Sequence, residues 1–148
     1  MRGVFGAAGE RHLRSATTMG RGGTEAMRVV RVYSDAQGET HFDEAEVPMA
    51  TVDFAPPAPP VHLSAFAPAH QYGFMSGPPG WDGDWHPAPV RMLTIYLAGE
   101  VEVEASDGER RRFRPGDVTL AEDTTGKGHR SRVIGAADAL LAIVQLPA

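Results

Sequence analysis

Residues 90–117 read VRMLTIYLAGEVEVEASDGERRRFRPGD, and their pattern decides the fold class. In Glu100–Glu104 valine alternates with glutamate, so Val101 and Val103 share one face of a strand and the acids share the other. Ala98-Gly99, Ser106-Asp107-Gly108 and Pro115-Gly116-Asp117 punctuate the stretch with residues suited to tight turns. The next predicted strand carries Arg110, Arg111, Arg112 and Arg114. An antiparallel partner would set these cations opposite the glutamates, so the run reads as a solvated face, with an anion site as the sharper alternative.

The same alternation of short β-prone runs and turns extends in both directions. Met27–Ser34, Thr40–Val47, Val61–Phe66 and Gln71–Met75 are expected strands before it. Within and after it, strands are expected at Val90–Leu97, Glu100–Ala105, Arg110–Arg114, Asp117–Ala121, His129–Ile134 and Ala139–Leu146. The Pro-rich segment from Phe54 to Pro60 can be neither a helix nor a central strand, and it reads as an extended connection. Seventeen glycines and twelve prolines in 148 residues suit such a turn-rich chain better than a helical bundle. The length suits one domain, which should begin near Met27. Residues 1–26 lack periodicity and read as a disordered extension, with Met19 and Met27 as alternative starts to Met1.

Composition excludes several classes of function. There is no cysteine, so disulfides, thiolate catalysis and Cys-ligated zinc are ruled out. Of 14 basic and 19 acidic residues, four arginines and two glutamates precede residue 27, leaving ten against seventeen in the domain. That acidic balance argues against a nucleic-acid partner. No apolar run is long enough to span a membrane, and no secretory signal stands at the start, so a cytoplasmic protein is the expectation.

The segment ahead of the opening stretch carries the chemistry. From Gly80 the chain reads GWDGDWHPAPVRMLTIYLAG to Gly99. If it stays extended, His86, Ala88, Val90, Met92, Thr94 and Tyr96 share one face, and Leu93, Ile95 and Leu97 form core on the other. Gly80, His86 and Gly99 resemble the first motif of the cupin superfamily, with Ala88 and Met92 where a second His and a Glu belong. Gly116 within Arg114-Pro-Gly-Asp117 resembles the second motif, with His129 arriving two residues late and Val133 in place of an Asn. The resemblance covers roughly residues 80–134 and is closest to small single-domain members with an incomplete ligand set. It implies an all-β, cupin-type jelly-roll β-barrel (a double-stranded β-helix), and a homodimer.

In cupins three His and one Glu hold a metal inside the barrel, and here the resemblance leaves His86 and His129. These are the expected catalytic residues, joined by Tyr96, and the expected metal ligands if a metal is bound. The cofactor is then a divalent ion (Fe, Mn, Zn or Ni) or none, with Asp84 or Glu122 as a substitute carboxylate. Met92, Thr94, Trp85 and Ala88 are expected to line the pocket. Two buried imidazoles would act as general base and acid on a small molecule, in an isomerase, dehydratase or cyclase type of step. A metal-dependent oxygenase or isomerase, and a non-catalytic ligand-binding or sensing barrel, stand as alternatives. His41, His62 and His70 read as surface or strand residues. Gly126-Lys-Gly128 lacks the hydroxyl residue and helix of a phosphate loop, though Lys127 could reach the barrel mouth.

Overall fold

A computed structural model describes residues 26–148; the expected N-terminal extension otherwise lies outside the described residues. The first four strands are β1 (Ala26–Ser34), β2 (Thr40–Val52), β3 (Val61–Ser64) and β4 (Gln71–Gly77). Six follow in the second half: β5 (Met92–Ala98), β6 (Glu100–Ala105), β7 (Arg110–Phe113), β8 (Val118–Ala121), β9 (His129–Ile134) and β10 (Ala139–Gln145). Every expected strand is present, with ends shifted by a few residues and β2 continuing past Val47 to Val52. Among the described residues no helix is long and apolar enough to cross a membrane.

The strands form two sheets, one ordered β3-β2-β1-β8-β5-β10-β4 and one ordered β7-β6-β9. Pairing is antiparallel except between β1 and β8. The sheets face each other as a jelly roll, and the core fills the space between them. Val30, Val32, Phe42, Tyr96 and Leu141 come from the large sheet, and Val101, Val103, Ala105, Phe113 and Val133 from the small one. Phe113, only 1% exposed, stacks on Tyr96 with ring centroids 5.1 Å apart.

Register sorts the arginine run. Glu102 pairs with Arg112 and Glu104 with Arg110, so Arg110, Arg112 and Arg114 lie outside with the acids. Arg112 Nε donates to Glu102 at 3.2 Å and Arg132 Nη2 reaches the same carboxylate at 2.7 Å. Arg111 pairs with Val103 and shares the inward face with Phe113, where its guanidinium lies 5.0 Å from the Phe42 ring. The solvated-face reading therefore holds for three of the four arginines in this run and fails for Arg111.

Two other expectations are corrected. Leu93, Ile95 and Leu97 are not core between sheets: Leu93 and Ile95 pair with outward residues of β8 and β10, and Leu97 is exposed. The Pro-rich segment does not stay extended. Ala58 N–H donates to Ala55 C=O, and a cis bond joins Pro56 to Pro57 as the chain turns back from β2 into β3. The end of β2 and all of β3 thus form a two-stranded arm.

One end of the barrel is tied by polar groups. His41 bridges the β1–β2 and β6–β7 turns, with Nε2 at 2.7 Å from Asp35 and Nδ1 at 2.8 Å from Asp107. These two carboxylates, Asp35 foremost, raise the His41 pKa above its ordinary value. The loop after β8 joins the same assembly through Lys127, whose N–H donates to Gly38 and whose ammonium pairs with Glu39. Lys127 is therefore engaged at the turn rather than reaching for a ligand.

Candidate functional site

The segment carrying His86 is held as an extra edge beside β9. Val133 N–H donates to Trp81 C=O and Gly83 N–H to Ser131 C=O, which aligns the chain antiparallel to that strand. At its end His86 and His129 form a two-way bridge, each backbone N–H donating to the other's carbonyl at 3.0 Å. Partners in such a bridge project their side chains to the same side. For His129 that side is inward, since Val133 and Ser131 share its parity and it pairs with fully buried Ala105. Close approach depends on Gly128, which has φ of +72° and where a Cβ would lie 2.1 Å from the His86 carbonyl carbon.

The two rings sit with centroids 4.8 Å apart at an angle of 57°. His86 Nδ1 is 2.8 Å from the Asp84 carbonyl oxygen, which can only accept, so Nδ1 carries the proton and Nε2 the lone pair. His129 Nδ1 is 2.5 Å from the carboxylate of Asp123. Asp123 is 0% exposed and its backbone carbonyl accepts from Ala88 N–H, fixing the loop against the His86 segment. The His129 side chain is 15% exposed, whereas His86 is exposed at the barrel mouth. The enclosure expected for both rings therefore belongs to His129 alone.

Sequence reasoning missed Asp123, although a signal was present. Thr119 and Ala121 face inward on β8, and two residues further on the same parity falls on Asp123. Its partner in that reading, Glu122, faces outward, at 2.7 Å from Arg91 and 3.7 Å from Arg31. It is thus engaged away from the histidines. Asp84 is exposed, its Oδ1 accepting from Trp85 N–H at 2.8 Å.

The run His86 to Tyr96 is not one face, because the chain bends at residues 87–91 and passes from the small sheet to the large one. Pro87 and Pro89 lack the N–H groups that would continue a ladder. Ala88 is buried beside the site, and Met92 and Thr94 are half-buried on the inward face of β5, opposite Ala121 and Thr119. Tyr96 is a correction: it lies at the far end of β5, stacked in the core and hydrogen-bonded to Thr119, and burial pushes its hydroxyl pKa up. At about 3.3 Å per residue, four positions separate it from Met92 by roughly 13 Å. Trp85 is a second correction, since it stands opposite outward-facing Arg130, whose guanidinium lies 5.4 Å from its ring.

The donors do not fit the metal centre that the resemblance implies. His86 and His129 each offer one Nε2, Ala88 offers nothing, and Glu122 pairs with Arg91 and Arg31 away from the histidines. Among the described residues no group of three or more His, Asp and Glu could hold a metal ion, and two imidazoles fall short of the usual three protein ligands.

Several solved structures are similar to this chain. A predicted oxalate decarboxylase from Thermotoga maritima is 20% identical over 80% of this chain and 93% of its own, with a TM-score of 0.43. The Cnp3 cupin domain of Schizosaccharomyces pombe is 14% identical over 82% of this chain and 84% of its own, with a TM-score of 0.43. The conserved SPY1581 protein of unknown function from Streptococcus pyogenes is 23% identical over 52% of this chain and 65% of its own, with a TM-score of 0.41. No protein-family model and no curated protein sequence matches the chain.

Proposed function

We propose that the chain is a small-molecule enzyme working by acid/base chemistry through His86 and His129 at the mouth of the barrel. One observation carries this reading. Both rings have Nδ1 anchored by an acceptor and stand with centroids 4.8 Å apart, which leaves both Nε2 atoms unused, and one ring is backed by a buried carboxylate. Asp123 stabilises the imidazolium that forms when His129 Nε2 takes a proton. His86, exposed to water, equilibrates with solvent and returns a proton to the neighbouring atom of the bound molecule. A proton moved beside a carbonyl in this way gives an isomerisation, dehydration or cyclisation.

Solvent deuterium exchange tests the reading without knowledge of the product. A panel of small oxo- and hydroxy-acids in D2O, followed by proton NMR, should reveal a compound whose carbon-bound proton exchanges with the protein present. His129→Gln should slow that exchange by roughly 10²–10⁴-fold. Exchange unchanged by both His86→Gln and His129→Gln would overturn the proposal. Stoichiometric iron, manganese, zinc or nickel retained through dialysis and required for exchange would replace it with the metal-dependent reading. Ligand binding without exchange of any candidate would favour a binding or sensing barrel.

A further inference from the structure

Three buried polar atoms among the described residues have no hydrogen-bond partner: Thr40 Oγ1, Arg111 Nη1 and Asp123 Oδ1. They belong to three different strands or loops, yet all face the interior at one end of the barrel. Thr40 precedes inward Phe42 by two residues on β2 and is fully buried. Its N–H donates to Ser106 Oγ in the turn between β6 and β7. Arg111 lies over Phe42 from the opposite sheet, with Nε on Glu109 at 2.8 Å. Asp123 follows Glu122, whose N–H donates to Val32 C=O directly across from Phe42. A buried donor or acceptor left unmet carries its full desolvation penalty, so each of these three calls for a partner that satisfies it.

The geometry points to a recognition site for a small carboxylic acid bearing a hydroxyl or amino group near its carboxylate. Arg111 Nη1 supplies a cationic donor to the carboxylate, Asp123 Oδ1 accepts from the hydroxyl or ammonium, and Thr40 Oγ1 serves either end. Because Asp123 Oδ2 holds His129, such a ligand would sit beside the proposed base, and the inference rests on that reading for its catalytic meaning.

Binding and exchange are measured separately, so the two can fail separately. Isothermal titration with glycolate should show binding, with acetate and ethanol, which each carry half of the recognition pattern, at least about tenfold weaker. Arg111→Met, which keeps the apolar stem, and Thr40→Val, which keeps the shape, should each weaken glycolate about tenfold or more. His129→Gln should retain binding while losing exchange. No binding of any probe to the wild-type protein would mean that water alone satisfies these atoms, and would overturn the inference. Binding kept in both Arg111→Met and Thr40→Val would do the same while leaving the acid/base reading standing.

Discussion

Replacing Gly128 by alanine probes whether the two histidines are held together by a backbone approach that no side chain can enter. The new Cβ would fall 2.1 Å from both the carbonyl carbon and oxygen of His86 and 2.4 Å from Pro87 N. The His86 segment would have to withdraw by about 1 Å, which takes both bridge hydrogen bonds beyond useful length. Two backbone bonds are worth about 1–3 kcal/mol together, and holding an L-residue at φ of +72° adds about 1–2 kcal/mol. A domain of this size loses about 3 °C in Tm per kcal/mol, so a fall of about 6–15 °C is expected. Gly108 is the control, since it has φ of +94° but no atom within 4 Å of a built Cβ. Gly108→Ala should cost only the backbone strain, about 3–6 °C. Differential scanning calorimetry gives both values, and ring-to-ring nuclear Overhauser effects between His86 and His129 should vanish only in Gly128→Ala. Equal losses of Tm with the ring signals retained would refute the wedged-backbone account.

Three further outcomes follow from the packing and charges. The raised pKa of His41 means that its stabilisation is fully present below its unfolded value near 6.5 and is lost as pH rises through the folded one. Tm should therefore fall with pH above 6.5 in the wild type and fall less in His41→Gln, and parallel profiles would count against the bridge to Asp35 and Asp107. Tyr96→Phe should lower stability by about 1 kcal/mol in urea unfolding, through loss of the bond to Thr119, and leave ligand binding unchanged. A binding defect would return Tyr96 to the site. Phe113→Ala should cost about 3–5 kcal/mol, since the ring is 1% exposed and stacked on Tyr96. A loss under 1 kcal/mol in the same measurement would mean that the sheets do not meet around it.

The alternation of valine and glutamate in β6, and the turn residues on either side, were sufficient to place six strands in the second half, because period-two burial is a local property of the chain. His86 and His129 were legible as a pair from motif spacing, and the structure sets them against each other. Parity carried two residues past β8 also contained Asp123, which shares a face with Thr119 and Ala121, and parity along β7 contained Arg111, which shares one with Phe113. What no local pattern could decide was where the parity stops applying. The bend at residues 87–91 moves the chain between sheets and removes Tyr96 from the histidines, while Trp85 falls on the outward parity opposite Arg130. Whether an inward face meets core, a neighbouring charge or open space depends on which strand lies across from it, and that pairing is settled only when residues far apart in the chain close the barrel.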